Sequence, residues 1–582
     1  MFMGLVLFLF GMNLMGEALE KRAGNKLKDI LATLTSGKIK GLLLGMVVTC
    51  VIQSSSATTV MAVGFVNSGL MTLTQAIPVI MGANIGTTIT AWILSLSGLS
   101  GSAWYITMFK PDTFVPILAV LGIVFYMFLK NPKKKDVGLI LIGFATLMFG
   151  MDTMSGAVSG LKNVPEFAEL LVKFENPVLG VIAGAVITGI IQSSSASVGI
   201  LQALAGATGA VTIGATVPII MGQNIGTCVT AMISSVGANK NAKRTAAVHL
   251  YFNIIGTVVS LVAYTIVTGL VSFPILSRSA DQFSIAVVHT AFNIICTLIL
   301  FPFASGLEKL ATATVGNKKG TNDKTIMLDE RLMVTPAVAI KQCYDVVSEM
   351  SALSVKSLGL AFGMFGSFDE KTYEEIERLE DEVDKYEDAA GTYLVKLSAA
   401  NLTPENSREV TKLLHTIGDL ERISDHAVNI AKSLQEMSDK KLSFSEQANR
   451  ELETMIKAVS EITALSHECF TKTDLKTAYL VEPLEQVIDY LKAEIKKGHI
   501  QRLQKEECTI EMGFILSDLI TNLERISDHC SNIAGCVIEL TKDELSLHEY
   551  YHEIKDGSDF RTEYFNKKYN MYMEKYTIAN VQ

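Results

Sequence analysis

The sequence writes Gln-Ser-Ser-Ser-Ala twice, at Gln53–Ala57 and at Gln192–Ala196, each time in the middle of an apolar stretch. Four polar side chains in hydrocarbon are costly unless they bind something. No Asp, Glu, Lys or Arg occurs between Gly41 and Phe109, or between Asn176 and Asn239. A site built here is polar but carries no formal charge. If the chain breaks at each motif, a new helix starts near the serines. Its free N–H groups then carry roughly half a positive elementary charge. Two such ends facing each other make an anion site, to which the serine hydroxyls of Ser54, Ser55, Ser56, Ser193, Ser194 and Ser195 add donors. Carbonyl ends, the side-chain oxygens of Gln53 and Gln192, and threonine hydroxyls are hard ligands that suit a small cation such as sodium. A cation bound beside the anion offsets charge that dipoles alone leave poorly compensated. The expected activity is cation-driven anion symport. Close helix packing by small residues is the plainer reading of Ser and Gly in such segments. The duplication weighs against it.

These motifs sit in a chain of 582 residues, 49% hydrophobic, with mean hydropathy +0.34, too long and too apolar for one soluble domain. Residues 1–310 hold 18 Lys/Arg and 11 Asp/Glu, whereas the remainder holds 32 and 48. An apolar, mildly basic half is joined to an acidic, soluble one. The eight cysteines form no CxxC pair and read as packed thiols facing a reducing compartment. The apolar run begins at Met1 without a basic n-region or cleavage site, which predicts a first helix whose beginning lies upstream.

Segments of spanning length recur at about 1–19, 73–97, 112–130, 137–160, 211–236, 245–270 and 282–303, and two more at 41–69 and 177–206 carry the serine motifs. Leu9–Gly16 matches Met148–Gly156, and Pro78–Ala91 matches Pro218–Ala231, always 139 or 140 residues apart. A whole unit has been duplicated. If each serine segment is a re-entrant hairpin, the loops at 20–40, 130–136 and 239–244 share one side with 13 Lys/Arg. Those at 97–112, 160–177 and 270–281 share the other with four. That bias puts the first set in the cytoplasm. It also makes the two units an inverted repeat, the architecture of alternating-access transporters.

Downstream of each motif stands Asn-Ile-Gly-Thr, at Asn84–Thr87 and Asn224–Thr227. Asn and Gly together in mid-segment predict an unwound stretch lining the site. His249/Asn253 and His289/Asn293 repeat a four-residue spacing that serves either inter-helix bonding or a proton relay. With these motifs the first half resembles the type II sodium–phosphate cotransporter family, in its bacterial branch with a fused PhoU-like tail. The resemblance covers essentially the whole chain. It implies phosphate as the anion and sodium as the driver. It places phosphate at Gln53–Ser56 and Gln192–Ser195. Sodium ligands would then come from Gln53, Ser56, Thr58, Asn84, Thr87, Thr88, Gln192, Ser195, Asn224 and Thr227. The second copy has Cys228 where the first has Thr88, which departs from symmetry.

Past the polar stretch Gly316–Thr325 the chain reads as long amphipathic helices. Asp419–Ala431 matches Asn522–Ala534, and Leu379–Asp384 matches Leu484–Asp489, so two three-helix units are expected. Each motif holds Glu-x-x-x-Asp: Glu380/Asp384, Glu421/Asp425, Glu485/Asp489 and Glu524/Asp528. Carboxylates four apart share a helical face at a cost of roughly 0.2–0.5 kcal/mol per pair. Such faces either coordinate a metal through oxygen or are merely solvated. This half resembles PhoU, which implies a regulatory role in the cytoplasm and multinuclear metal clusters of divalent, iron or zinc type. His415, His426 and His529 flank the motifs and read as helix-surface residues.

The expected fold is all-α: a polytopic membrane protein with two inverted repeats, each holding a re-entrant serine hairpin, followed by a PhoU-like helical bundle. The expected division is repeat 1 over 1–130, repeat 2 over 131–310, a linker over 311–335, the helical domain over 336–545 and a tail over 546–582. No P-loop, catalytic triad spacing or HExxH motif points to an enzyme. The expected partners are inorganic phosphate, sodium and the lipid bilayer of a cell (inner or plasma) membrane. A homo-oligomer is compatible with the sequence, and nothing in it points to nucleic acid. Two alternatives stay open: phosphate export, and a membrane-anchored phosphate sensor with little transport.

Overall fold

The computed structural model describes residues 1–33, 37–98, 110–164, 176–316, 328–400, 402–541 and 560–577. Most of the expected loops at 97–112 and 160–177, the middle of the linker and much of the tail lie outside the described residues. The described residues are helical, with one isolated bridge, Thr212 to Ser279, and no strand. The chain divides into two compact units, Met1–Val338 and Ala339–Gln582.

In chain order the first unit holds α1 (Phe2–Thr33), α2 (Lys38–Ile52), α3 (Ser55–Asn67), α4 (Leu73–Gly86) and α5 (Thr88–Ser95). Then come α6 (Pro111–Phe128), α7 (Pro132–Val158), α8 (Pro177–Ile191), α9 (Ser194–Thr208) and α10 (Ile213–Ser234). The unit closes with α11 (Lys240–Leu270), α12 (Gln282–Leu300) and α13 (Ala304–Thr314). Seven stretches are long and apolar enough to cross a membrane: Phe2–Arg22, Leu73–Gly98, Pro111–Phe128, Lys133–Leu161, Ile213–Ser234, Lys240–Leu270 and Gln282–Thr314. They coincide with the seven segments read from the sequence. Of α6 only Gly122 is buried, as suits an apolar helix with lipid around it.

Both serine motifs break their helices in the same way. Gln53 (φ 59°) and Gln192 (φ 57°) adopt the left-handed conformation, which costs a side-chain-bearing residue of order 1–3 kcal/mol. Ser54 and Ser193 follow in extended conformation as N-caps, their hydroxyls accepting from the N–H groups of Ala57 and Ala196. The helices α3 and α9 therefore begin at the second serine of each motif.

The helix before each break crosses the one carrying Asn-Ile-Gly-Thr at backbone contact. A Cβ on Gly45 would fall on the Val79 carbonyl, and one on Gly184 would fall on the Ile219 carbonyl. Only glycine permits that approach. The expected unwinding at Asn-Ile-Gly-Thr is not found. Helix α10 runs unbroken through Asn224–Thr227, and Thr87 between α4 and α5 keeps right-handed helical angles. The asparagines spend their side chains on other helices, so the backbone ladder stays intact.

The second unit holds all but the first residues of α14 (Pro336–Gly363), then α15 (Glu370–Ser398), α16 (Pro404–Asp439), α17 (Glu446–Lys472), α18 (Leu475–Gln504), α19 (Ile510–Thr541) and α20 (Phe560–Lys575). Leu, Ile and Val recur along them at helical spacing and are buried, as with Leu413, Ile417, Leu420 and Ile423 of α16. One ion pair is sealed in this core: Arg502 holds Glu451 in a two-pronged contact at 2.8 and 2.9 Å.

Candidate functional site

The two motifs, 139 residues apart, line one cavity of about 250 Å³. Gln53, Ser54, Ser55, Ser56 and Ala57 come from one break, and Gln192, Ser193, Ser194 and Ser195 from the other. Met12, Asn13, Gly16, Glu17 and Glu20 of α1 complete the wall with Ile52. Ser55 and Ser194, the first residues of α3 and α9, are 5% and 4% exposed, and their hydroxyls have no hydrogen-bond partner among the described residues. Two helix N-termini and two free hydroxyls thus meet on one space. Such a space can take an anion the size of a tetrahedral oxyanion.

The expected sodium ligands are only partly here. Gln53, Ser56, Gln192 and Ser195 line the cavity, whereas Thr58, Asn84, Thr87, Thr88, Asn224 and Thr227 are buried and do not line it. Thr87 Oγ1 lies 3.5 Å from Ser195 Oγ, so it touches the wall across the repeat boundary. Asn84 Nδ2 donates to Asn253 Oδ1 at 3.1 Å, and Asn224 Nδ2 donates to Asn293 Oδ1 at 2.7 Å. Thr88 donates to the Ile85 carbonyl and Thr227 to the Gln223 carbonyl. Cys228, in the position of Thr88, donates to Asn224 and His249 carbonyls and accepts from Asn253. Of the repeated His/Asn pairs the asparagines do the inter-helix bonding. The rings of His249 and His289 are buried with neither nitrogen partnered.

The repeats differ around these motifs. Gln53 is buried, and its Oε1 accepts from Thr90 at 3.0 Å, whereas Gln192 is exposed and Thr230, the counterpart of Thr90, has no partner. Sequence reading missed Thr90 and Thr230, although the shared offset of 140 would have paired them. It also missed Glu17 and Glu20, which fall three residues apart in an apolar span.

In the second unit the four Glu-x-x-x-Asp pairs gather two by two. Glu380 and Asp384 of α15 face Glu421 and Asp425 of α16, and mutual repulsion adds to burial there. Burial, then Asp425 and Asp384, push Glu421 up to about 7. In the second cluster Glu485, Asp489 and Asp528 bring one carboxylate oxygen each within 4.8 Å of the others. Burial, then Glu482 and Asp489, push Glu485 up to about 8, and burial raises Asp489 and Asp528. Glu524 pairs with Lys492 at 2.9 Å and Asp528 with Arg525 at 3.3 Å, so part of that charge is already met. Three converging carboxylate oxygens are a donor set that fits a hard, oxygen-preferring cation. His415 is exposed, as a helix-surface residue should be, but His426 and His529 are not surface residues. His426 bonds Asn522 and His529 bonds Asp419, both at 2.8 Å, and their rings stack 5.7 Å apart across the α16–α19 seam.

Two family models match the chain. The Na+/Pi-cotransporter model matches residues 7–156 and 160–288, and the PhoU domain model matches 347–434 and 452–537. The uncharacterized protein YqeW of Bacillus subtilis is 30% identical over 307 residues, which is 53% of this chain and 94% of that protein. The chain belongs to the Na+/Pi-cotransporter family and carries a PhoU domain. It is a multi-pass membrane protein of a transporter family, and that family is not a class of enzymes. YjbB of Salmonella typhimurium, provisionally named an inorganic phosphate export protein, is 24% identical over 555 residues, covering 94% of this chain and 98% of that one. Sodium-dependent phosphate transport protein 2A of Ovis aries is 38% identical over 94 residues, 16% of this chain and 15% of its own.

Proposed function

We propose that this member of the Na+/Pi-cotransporter family carries inorganic phosphate together with sodium across the cell membrane by alternating access. The observation that carries the reading is the single cavity into which both serine motifs open, with Ser55 and Ser194 offering unpartnered hydroxyls. Phosphate would take the N–H groups at the starts of α3 and α9 with the serine hydroxyls around it. Sodium would sit beside it on oxygens of Gln53, Ser56, Gln192 and Ser195, with Thr58, Asn84, Thr87, Thr88, Asn224 and Thr227 as the supporting layer. The basic loops put the Arg22 end of α1 in the cytoplasm, so the cavity along Met12–Glu20 faces inward and the PhoU domain is cytoplasmic. That domain regulates transport, and its carboxylate clusters bind a divalent metal. The expected division into repeats at 1–130 and 131–310, a linker at 311–335, a helical domain at 336–545 and a tail belongs to the same proposal.

Phosphate export is the second reading, favoured by the likeness to YjbB along nearly the whole chain. The same site serves either direction, and gradients decide the flow. Purified protein in proteoliposomes, given radiolabelled phosphate with a sodium or a potassium gradient, tests the reading. Accumulation above equilibrium that needs sodium and is lost in Ser55→Ala with Ser194→Ala supports it. Flux that only equilibrates and ignores sodium overturns the coupling.

A further inference from the structure

The cavity wall has a feature that the serine motifs do not supply. Two carboxylates of α1, Glu17 and Glu20, line the same space, and no ion pair meets either of them among the described residues. Glu20 is part-buried, with the Thr335 hydroxyl as its one polar neighbour from another segment among the described residues, while Glu17 stands exposed at the rim. Lys21 and Arg22 follow on the helix, and the Arg22 guanidinium donates to the Lys133 carbonyl.

Their place is set by Gly16. A Cβ there would come within 3.3 Å of the carbonyl oxygen of Ile52, the last residue of α2. The α1 backbone therefore lies directly against the first break, and the turn after Gly16 delivers both carboxylates beside it. The end of α2 carries the negative pole of that helix. One wall of the cavity is thus electronegative, from two carboxylates and a helix C-terminus. The other is electropositive, from the N-termini of α3 and α9 with the free Ser55 and Ser194 hydroxyls. An anion alone fits only the second wall and is repelled by the first. An anion with its cation fits both.

The duplication sharpens the point. At the repeat offset of 139 or 140 the counterparts of Glu17 and Glu20 are Gly156 or Ala157 and Ser159 or Gly160, so the second repeat has no carboxylate there. A charge needed for folding the repeat would stand in both copies. This one marks a single face of the transporter.

We propose that Glu17 and Glu20 bind sodium at the rim of the phosphate cavity, as the site through which the co-transported cation passes on that face. The inference rests on the symport reading but adds ligands outside the serine and Asn-Ile-Gly-Thr motifs. Carboxylate oxygens are hard ligands with the charge that sodium needs, and the neighbouring hydroxyls complete its shell.

The test uses the full-length protein with Glu17→Gln and Glu20→Gln together, each single change, and Glu20→Asp. Two readouts are taken: radioactive sodium retained by the purified protein without phosphate, and the sodium dependence of phosphate flux in proteoliposomes. Removing two charges next to a cation should raise the half-saturating sodium concentration about tenfold or more, with a smaller change in phosphate KM at saturating sodium. The single changes should fall between, and Glu20→Asp, which keeps the charge, should stay nearest to the unaltered protein. Because Glu20→Asp tracks folding and charge separately, an equal loss in Glu20→Asp and Glu20→Gln would overturn the proposal. So would an unaltered sodium curve in the double variant, which leaves symport itself standing. A shift in phosphate KM alone would make the carboxylates an anion filter and overturn the sodium site. Sodium retained by the unaltered protein and lost in the double variant upholds the site even if flux ignores sodium, in which case only the symport reading fails.

Discussion

Thr49 Oγ1 donates to Thr58 Oγ1 across 3.0 Å, while the hydroxyls of their counterparts 139 residues on, Thr188 and Ser197, are buried and make no hydrogen bond. The same two helices of each repeat thus meet in two different states within one molecule. With Gln53 bonded and buried and Gln192 free and exposed, three elements of the site differ in the same sense. In an inverted-repeat transporter the repeats exchange conformations when access alternates. On the alternating-access reading proposed above, the Thr49–Thr58 bond belongs to the described state and its mirror to the other one.

Thr58→Val should accordingly shift the population away from the described state, and Ser197→Ala should not. One hydrogen bond at about 1 kcal/mol corresponds to roughly a fivefold change in the ratio of states. The rate at which a membrane-impermeant maleimide labels Gln192→Cys reports that ratio, since Gln192 is exposed only where its motif is open. A fall in rate for Thr58→Val without a fall for Ser197→Ala supports exchange. Equal behaviour of the two variants removes it.

Ser55→Ala and Ser194→Ala should each weaken phosphate and act together. Hydrogen bonds to a charged group are worth roughly 1.5–3 kcal/mol, so the double variant should raise phosphate KM about a hundredfold or more. Sodium binding without phosphate should survive better than phosphate affinity. Equal KM values in the double variant and the unaltered protein would mean that the hydroxyls face empty space.

Asn84 with Asn253, and Asn224 with Asn293, fasten the helices that carry Asn-Ile-Gly-Thr to α11 and α12. A double-mutant cycle of Asn84→Ala and Asn253→Ala, read by thermal unfolding in detergent, should return a coupling of about 0.6 kcal/mol, and at most about 1.7. A coupling of zero would mean that the bond contributes nothing and that the asparagines are kept for a ligand.

Much of this was legible in the sequence, for physical reasons that differ from residue to residue. The break at Gln53 and Gln192 could be read because polar residues repeated in two apolar runs have few uses. The spans could be read because hydrocarbon demands length. The partner of Asn84 could not, since Asn253 lies 169 residues away and helix packing alone brings them together. For the same reason Asn-Ile-Gly-Thr looked like an unwinding point: Asn in a helix competes for its own backbone unless another helix claims its side chain. Glu17 and Glu20 stand next to Lys21 and Arg22, where charged residues usually just mark a membrane boundary. Only the close approach at Gly16 turns them toward the serines.

The PhoU domain carries a pH dependence whose sign follows from Glu485. Its carboxyl is raised from an ordinary value of 4.5 to about 8 by burial and by its acidic neighbours, and Asp489 and Asp528 are raised as well. A raised carboxyl means that the folded chain holds more protons than the unfolded one. The cluster is therefore easiest to fold below the ordinary value, and it destabilises the domain progressively as pH rises toward 8. A bound cation reverses this, because it needs the ionised carboxylates and displaces their protons. Each displaced proton costs a factor of about ten in apparent affinity per pH unit below the raised value. Calorimetric titration of manganese into the full-length protein should thus show affinity climbing at least a hundredfold from pH 6 to pH 8 and levelling above it. Glu485→Gln with Asp489→Asn should abolish that heat, and Asp528→Asn should weaken it. Binding that is independent of pH, or that survives the double change, would mean that the cluster is a solvated acidic face and that the metal lies elsewhere.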